Sequence, residues 1–304
     1  GQTPPGFCRR AIHRLRARNR MAIVCSSFAT LQQQRQKGRM KLRESRHAAE
    51  IIGSIGADCL GASMDSVLRQ RVPFDMSCIY LFQFNGAPLL VHNGYNDSVP
   101  AQTLSAYARG GYLLDPFYVA CMNEHPGGLW RMTELAPDSF FSSGFAISSD
   151  SHPCVSSSHG TQIEEIGFIV PLQPRVALVY SLMRSLERGA FEAWELRWLE
   201  TWAPILGAAL EAHFKLRLEA YCNPTKKNDG PIEDAFLNIL PGELTETQRF
   251  VTKFILQGHS NSSIASQMKV SEGTVRVHKH NIYQKLSISS QSELFRLFID
   301  YLAR

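Results

Sequence analysis

LTETQRFVTKFILQGHSNSSIASQMKVSEGTVRVHKHNIYQKLSISSQSELFRLFIDYLAR, residues 244–304, divides into four short helices with a start signal before each. Thr245 followed by Gln248 is a capping box, in which the hydroxyl accepts from the third helical N–H and the Gln side chain returns to the cap's own N–H. The first helix turns Phe250, Val251, Phe254 and Ile255 inward and ends near Gly258. The second begins at Ser260 or Asn261, buries Ile264, Ala265 and Met268, and stops before Val270. Ser271 caps the third, and Ser290 with Glu293 makes a capping box for the fourth. Leu294, Phe295, Leu297, Phe298 and Leu302 give this last helix more apolar surface than it can bury alone, so part of that face is expected to meet a partner.

The third helix carries the functional reading. At about 100° per residue, Val275, Ile282 and Leu286 fall near one line and form a core stripe. The opposite face then holds Gly273, Arg276, Val277, His280, Asn281 and Gln284, with no acid to repel phosphate. These residues can donate, accept or make methyl contacts with base edges. An isolated valine on a polar face costs a little stability, yet Val277 suits a thymine methyl group in the major groove. Arg276 can clamp a guanine or a phosphate, and Lys279 and Lys285 flank the helix where the sugar–phosphate walls would lie. The alternative is an ordinary solvated helical face.

The segment resembles the LuxR-type (GerE-like) helix-turn-helix. The likeness runs through LT at 244, GxSN at 258–261, IA at 264, VS at 270, TVRxH at 274–278, NI at 281 and KL at 285. It implies base contacts from Arg276, Val277 and His280, phosphate contacts from Thr274 and Lys279, and pairing of two heads on palindromic DNA through the fourth helix. Asn261, Ser271 and Lys285 complete the candidate DNA-binding set. Thr247-Gln248 replaces the family's usual Arg-Glu and Phe250 a usual acid, which removes salt-bridge support from the first helix.

Ahead of this head the chain is long enough for a second core. It has 304 residues, 44% hydrophobic and 19% charged, and no apolar run long enough to cross a membrane. Seven scattered cysteines without a CxxC pair suggest neither a disulfide framework nor a zinc ribbon, and fit a reducing cytoplasm. Charge is uneven. Residues 1–43 carry 11 Arg or Lys and no acid, residues 44–242 have 13 basic against 22 acidic residues, and residues 243–304 have 8 against 5. An acidic middle followed by a basic end suggests that only the C-terminal end meets a polyanion. The first segment lacks an apolar period and reads as a disordered tail. A nucleic-acid-binding arm and a transit-peptide-like composition are its alternatives, and Met21 or Met40 can serve as a native start.

From Glu44, Ile51, Ile52, Ile55, Cys59, Leu60, Met64 and Val67 recur at helical spacings and indicate a helical pair. SCIYLFQF from Ser77 and APLLVHN from Ala87, joined at Asn85-Gly86, read as a hairpin. IGFIVPL from Ile166 and VALVYSLM from Val176 add two strands that pair across Gln173 to Arg175. Asp115-Pro116 is a helix start, with Asp as N-cap and Pro at the first helical position. A long helix is expected from Phe191 to Leu218, with Phe191, Trp194, Trp198, Trp202, Ile205 and Ala209 on one stripe and Pro204 as a kink; the stripe is core or a dimer seam.

The expected fold class is α+β. An α/β/α sensory domain with an antiparallel sheet spans 44–218, a linker 219–242, and an all-α four-helix helix-turn-helix domain 243–304. Tyr107, Tyr112, Asp115 and Trp130 resemble, in order and spacing, residues of the autoinducer-binding domains that precede LuxR-type heads. That likeness implies a small-molecule effector held by these four. The tryptophan that in this family binds the lactone carbonyl is absent, with Ala101, Gln102 and Thr103 near its place, which keeps a GAF- or PAS-like pocket for another compound open. A scaffold without ligand is the other reading, with Asp115 a cap and Trp130 core.

No GxxxxGKS loop and no phosphoacceptor pattern occur. His152, Cys154 and His159 lack a fourth metal ligand, so no metal or other cofactor is expected. An enzyme would need Cys121 or Cys154 as nucleophile with His125 or His159 as base, a pairing nothing in the sequence specifies. The expectation is a non-enzymatic, cytoplasmic transcriptional regulator. Its partners would be double-stranded DNA, a second copy of itself on that DNA, and a small-molecule effector, with no membrane.

Overall fold

A computed structural model describes residues 42–83, 87–97, 99–140, 163–221 and 244–303. The chain divides into two compact units, Gly1–Gly53 and Ser54–Arg304. In the first, residues 42–53 form helix α1; the rest of the basic tail lies outside the described residues.

The second unit begins with α2 (Leu60–Arg69), the other half of the expected helical pair. Five antiparallel strands follow: β1 (Met76–Gln83), β2 (Leu89–Gly94), β3 (Gly128–Arg131), β4 (Ile163–Gln173) and β5 (Val176–Ser185), in the order β2-β1-β5-β4-β3. Four were expected. The fifth, β3, has only four residues and too short an alternation to register as a strand, yet Gly128 to Arg131 pair with Ile169 to Ile166. The turn at Asn85-Gly86 lies outside the described residues.

Between the strands sit α3 (Ala101–Arg109), a 3-10 turn at Gly111–Leu114, α4 (Pro116–Met122) and the short α5 (Met132–Leu135). The long α6 (Ala193–Tyr221) follows β5 and runs through Pro204 without interruption.

Strand geometry sends alternate side chains to opposite faces, and β1 is buried on both. On one face Ser77 and, from β5, Tyr180 donate hydrogen bonds to Asp65 of α2 at 2.6 and 2.7 Å. On the other, Tyr80 packs its ring 5.1 Å from that of Tyr107 on α3. The sheet is thus the middle of an α/β/α sandwich.

Of the stripe expected on α6, Phe191, Trp202 and Ala209 are buried and Trp198 and Ile205 half-buried, and only Trp194 points outward. Trp194 is 41% exposed, while Glu195, Leu199, Trp202, Leu206, Leu210 and His213 face inward. Arg184 of β5 draws Glu195 into the protein, donating to its two carboxylate oxygens at 2.8 and 2.7 Å. Trp198 stays half-buried, 5.8 Å from Trp202, with Arg71 over its ring.

The C-terminal helices are α7 (Glu246–Leu256), α8 (Asn261–Met268), α9 (Glu272–Lys285) and α10 (Gln291–Ala303). The Thr245–Gln248 capping box forms as expected. Before α10, Ser290 accepts from the Glu293 amide, but Glu293 returns to the Ser289 amide, one residue earlier than a capping box requires. Val251, Ile255, Ile264, Val275, Ile282 and Phe298 form a core continuous with the residues under the sheet.

Candidate functional site

Helix α9 presents the expected surface. Ser271 accepts from the Thr274 amide at 3.1 Å and fixes the helix start. Val275 and Ile282 are fully buried, which forces the other side outward. Ser271, Thr274, Arg276, Val277, His280 and Lys285 are exposed there, and Val277 is 58% accessible with nothing apolar to justify it. Asn261 and Lys279 are half-buried. Lys279 lies 5.6 Å from the Tyr283 ring, and burial pulls its amine below the usual value.

Two contacts modify the sequence picture. Arg276 reaches Glu272 one turn earlier at 3.3 Å, so an acid stands beside it on this face. Lys285 donates to Gln248 at 2.9 Å and so ties α9 to the capping box of α7.

Under the sheet, Asp115 caps α4 by accepting from the Phe117 amide at 2.8 Å and takes the Tyr107 hydroxyl on its second oxygen at 2.5 Å. Burial first, and the Asp115 charge second, push the Tyr107 phenol well up, so it stays a donor. Tyr112 meets Tyr107 edge-on at 6.4 Å. The space beside Tyr107 and Asp115, lined also by Cys78, Tyr80 and Phe82, has a volume of only about 10 Å³, which is one water at most. Three of the four candidate ligand residues are therefore gathered. Trp130 is apart, half-buried on β3, with its ring 4.4 Å from His125 and its N–H donating to the Pro126 carbonyl.

Cys121 is buried, and burial pushes its thiol up, opposite to what a nucleophile needs. Cys154, His152 and His159 lie outside the described residues. Among the described residues no three His, Cys, Asp or Glu side chains gather as a metal site, and no helix is long and apolar enough to cross a membrane.

Residues 242–298 match the family model described as GerE, bacterial regulatory proteins of the luxR family. The C-terminal helices are a luxR-family GerE domain. The chain is 28% identical over 193 residues to an HTH-type transcriptional regulator described from the exeN 3' region of Aeromonas salmonicida, covering 62% of this chain and 94% of that protein. It is 36% identical over 74 residues to the response regulator TmoT of Ectopseudomonas mendocina, spanning only 33% of that protein. Among solved structures, the VqsR LBD domain from Pseudomonas aeruginosa overlaps 57% of this chain and 95% of its own, at 22% identity and a TM-score of 0.48.

The GerE domain packs against the layer beneath the sheet. Both carboxylate oxygens of Asp138 accept from Ser260, the N-cap of α8, one from its amide at 2.9 Å and the other from its hydroxyl. The Ser139 amide donates to the Gly258 carbonyl at 3.1 Å, and the Gln257 side chain donates to the Leu113 carbonyl at 3.3 Å. Phe140 is 1% exposed and lies on Gly258. Helix α10 packs against α3, and Leu294, Phe295 and Phe298 are buried. Nothing local in the sequence announces these contacts: Asp138 reads as a loop acid, and its partner is 122 residues away.

Asp138 is exposed, so its bonds to Ser260 contribute modestly. Replacing it with alanine should loosen the start of α8 by about 1 kcal/mol. Hydrogen exchange at the Ser260 and Ser263 amides is expected to rise by roughly fivefold, leaving the sheet unaffected.

Proposed function

We propose that this protein is a sequence-specific, DNA-binding transcriptional regulator whose sheet domain responds to a small molecule. The observation that carries the reading is the exposed, acid-poor outer face of α9 within a GerE domain. Arg276, Val277 and His280 read base edges in the major groove; Thr274, Lys279 and Lys285 face phosphates; Ser271 and Asn261 hold the entry of their helices against the backbone. The linker lies near residues 219–242, and the protein works in the cytoplasm as a homodimer on DNA. Half-sites centred about 10 base pairs apart, or a multiple of that, with approximate two-fold symmetry follow if α10 pairs the heads.

The effector part rests on Tyr107 and Asp115 beside a space of about 10 Å³, with Tyr112 edge-on to Tyr107. A ligand entering there must displace aromatic rings, and the Tyr107–Asp115 bond is the polar contact it would exchange. Trp130 acts from the β3 edge, outside the cavity lining.

Selection from a randomised duplex library at near-physiological salt tests the reading. Wild type is expected to enrich one palindrome, and Arg276→Ala to bind it about 10- to 100-fold more weakly, the ~1–3 kcal/mol of a bidentate base contact. Absence of enrichment, with or without added cell extract, would refute DNA reading. An extract-dependent change in wild-type affinity that Tyr107→Phe abolishes would support the effector.

A further inference from the structure

A second cavity lies where the layer under the sheet meets the GerE domain. Its volume is about 380 Å³, within the ~300–1,000 Å³ of small-molecule sites. Leu113, Leu114, Val119 and Met122 line one wall and Phe254 the opposite one. The rest of the lining includes the polar Asn123 and Gln257 and two cations, Arg175 from the β4–β5 turn and Lys253 from α7, and no lining residue is acidic. Burial holds the His259 ring below its usual pKa, so near neutral pH it adds an uncharged polar edge.

Two details indicate a built site. Tyr118 lines the cavity and is only 4% exposed, and its buried hydroxyl has no hydrogen-bond partner among the described residues. A buried hydroxyl left without a partner costs about 1–3 kcal/mol, so something polar is expected to meet it. Arg175 stands at φ +58°, a left-handed conformation that an Arg adopts at a cost, and its Nε donates to the Met122 carbonyl at 3.3 Å. A glycine would serve the turn better; Arg175 instead lines the cavity.

We infer that this junction cavity binds a small amphipathic organic anion, its carboxylate or similar group between Arg175, Lys253 and the Tyr118 hydroxyl and its apolar body against Val119, Met122 and Phe254. Such a ligand touches both the sheet domain and the GerE domain and therefore favours the packed arrangement. The site is separate from the closed space at Tyr107, and its binding needs no DNA.

Isothermal titration calorimetry on the full chain tests this with hydrocinnamate, the matching hydrocinnamyl alcohol and inorganic phosphate. Hydrocinnamate is expected to bind with a Kd at or below about 1 mM, and the alcohol and phosphate each at least about tenfold more weakly. Arg175→Gln with Lys253→Gln should cost about tenfold or more and Tyr118→Phe about fivefold. Circular dichroism confirms that each variant is folded, and Tyr118→Phe, which keeps the ring, stands in should the double variant fail to fold. Undetectable hydrocinnamate binding at ~10 mM would overturn the proposal. So would equal binding of the alcohol, which means an apolar hole, or of phosphate, which means a bare anion site, or affinity unchanged in the variants.

Discussion

Glu195→Ala is expected to destabilise the sheet domain by about 3–5 kcal/mol, the loss typical when one partner of a buried ion pair is removed. Both side chains are almost inaccessible, at 5% for Arg184 and 4% for Glu195. Glu195 also accepts from the Glu192 amide and so closes the start of α6. Arg184 in turn donates to the Pro73 carbonyl and lies 4.0 Å from the centre of the Phe191 ring. Alanine would leave a guanidinium buried without its counter-charge and detach α6 from β5 at one point. Chemical denaturation followed by tryptophan fluorescence reads this directly, since Trp194, Trp198 and Trp202 all lie on α6. A loss below about 1 kcal/mol would mean that water reaches Arg184.

The same pair sets an acid limit. Burial opposes the Glu195 charge, but the Arg184 hydrogen bonds and the Glu192 amide outweigh it and hold the carboxyl below its usual range. A carboxyl depressed in the folded state stabilises fully above its unfolded pKa of about 4.3, and that contribution is lost as pH falls through the folded value. Stability from this pair should be flat around neutral pH and decline only in acid. Glu195→Gln should flatten the acid limb.

Local signals made much of the architecture legible. Capping at Thr245, Ser260, Ser271 and Asp115 needs only residues a few positions apart, and each cap stands where the sequence put it. The hairpin strands likewise follow from short apolar runs. Phe250, expected to face inward on α7, is 44% exposed; the other failures depend on distant partners. The expected stripe held at Phe191, Trp202 and Ala209 but took in the exposed Trp194 and left out Glu195, a charged residue buried by an arginine on another element, which apolar periodicity cannot register. Strand β3 exists because β4 offers it an edge. Lys285 looks like a phosphate ligand from its place on α9, and only the folded chain shows it reaching Gln248. The covering of Phe295 and Phe298 by intramolecular packing was likewise invisible in a helix whose apolar excess suggested a partner.

Gly258→Ala is expected to release the GerE domain from the sheet domain. Gly258 stands at φ +87°, where an L side chain is strained by about 1–2 kcal/mol. An added Cβ would fall 2.5 Å from the Cα of Phe140. That neighbour is backbone, so no rotamer change relieves the clash, and overpacking of this kind costs about 1–3 kcal/mol more. The Ser139–Gly258 bond and the Asp138 contacts to Ser260 sit on either side and should go with it. Freed from α3, helix α10 would present apolar surface that the packed state covers, which favours self-association. Sedimentation velocity should show more dimer in Gly258→Ala than in wild type, and protease should cut sooner between the two parts. Phe140→Ala provides the control for simple misfolding, since it empties the contact without straining residue 258. If both variants gain dimer and keep binding the selected palindrome, packing against the sheet domain restrains pairing of the heads. Unchanged sedimentation in both would mean that packing against the sheet domain does not restrain pairing of the heads.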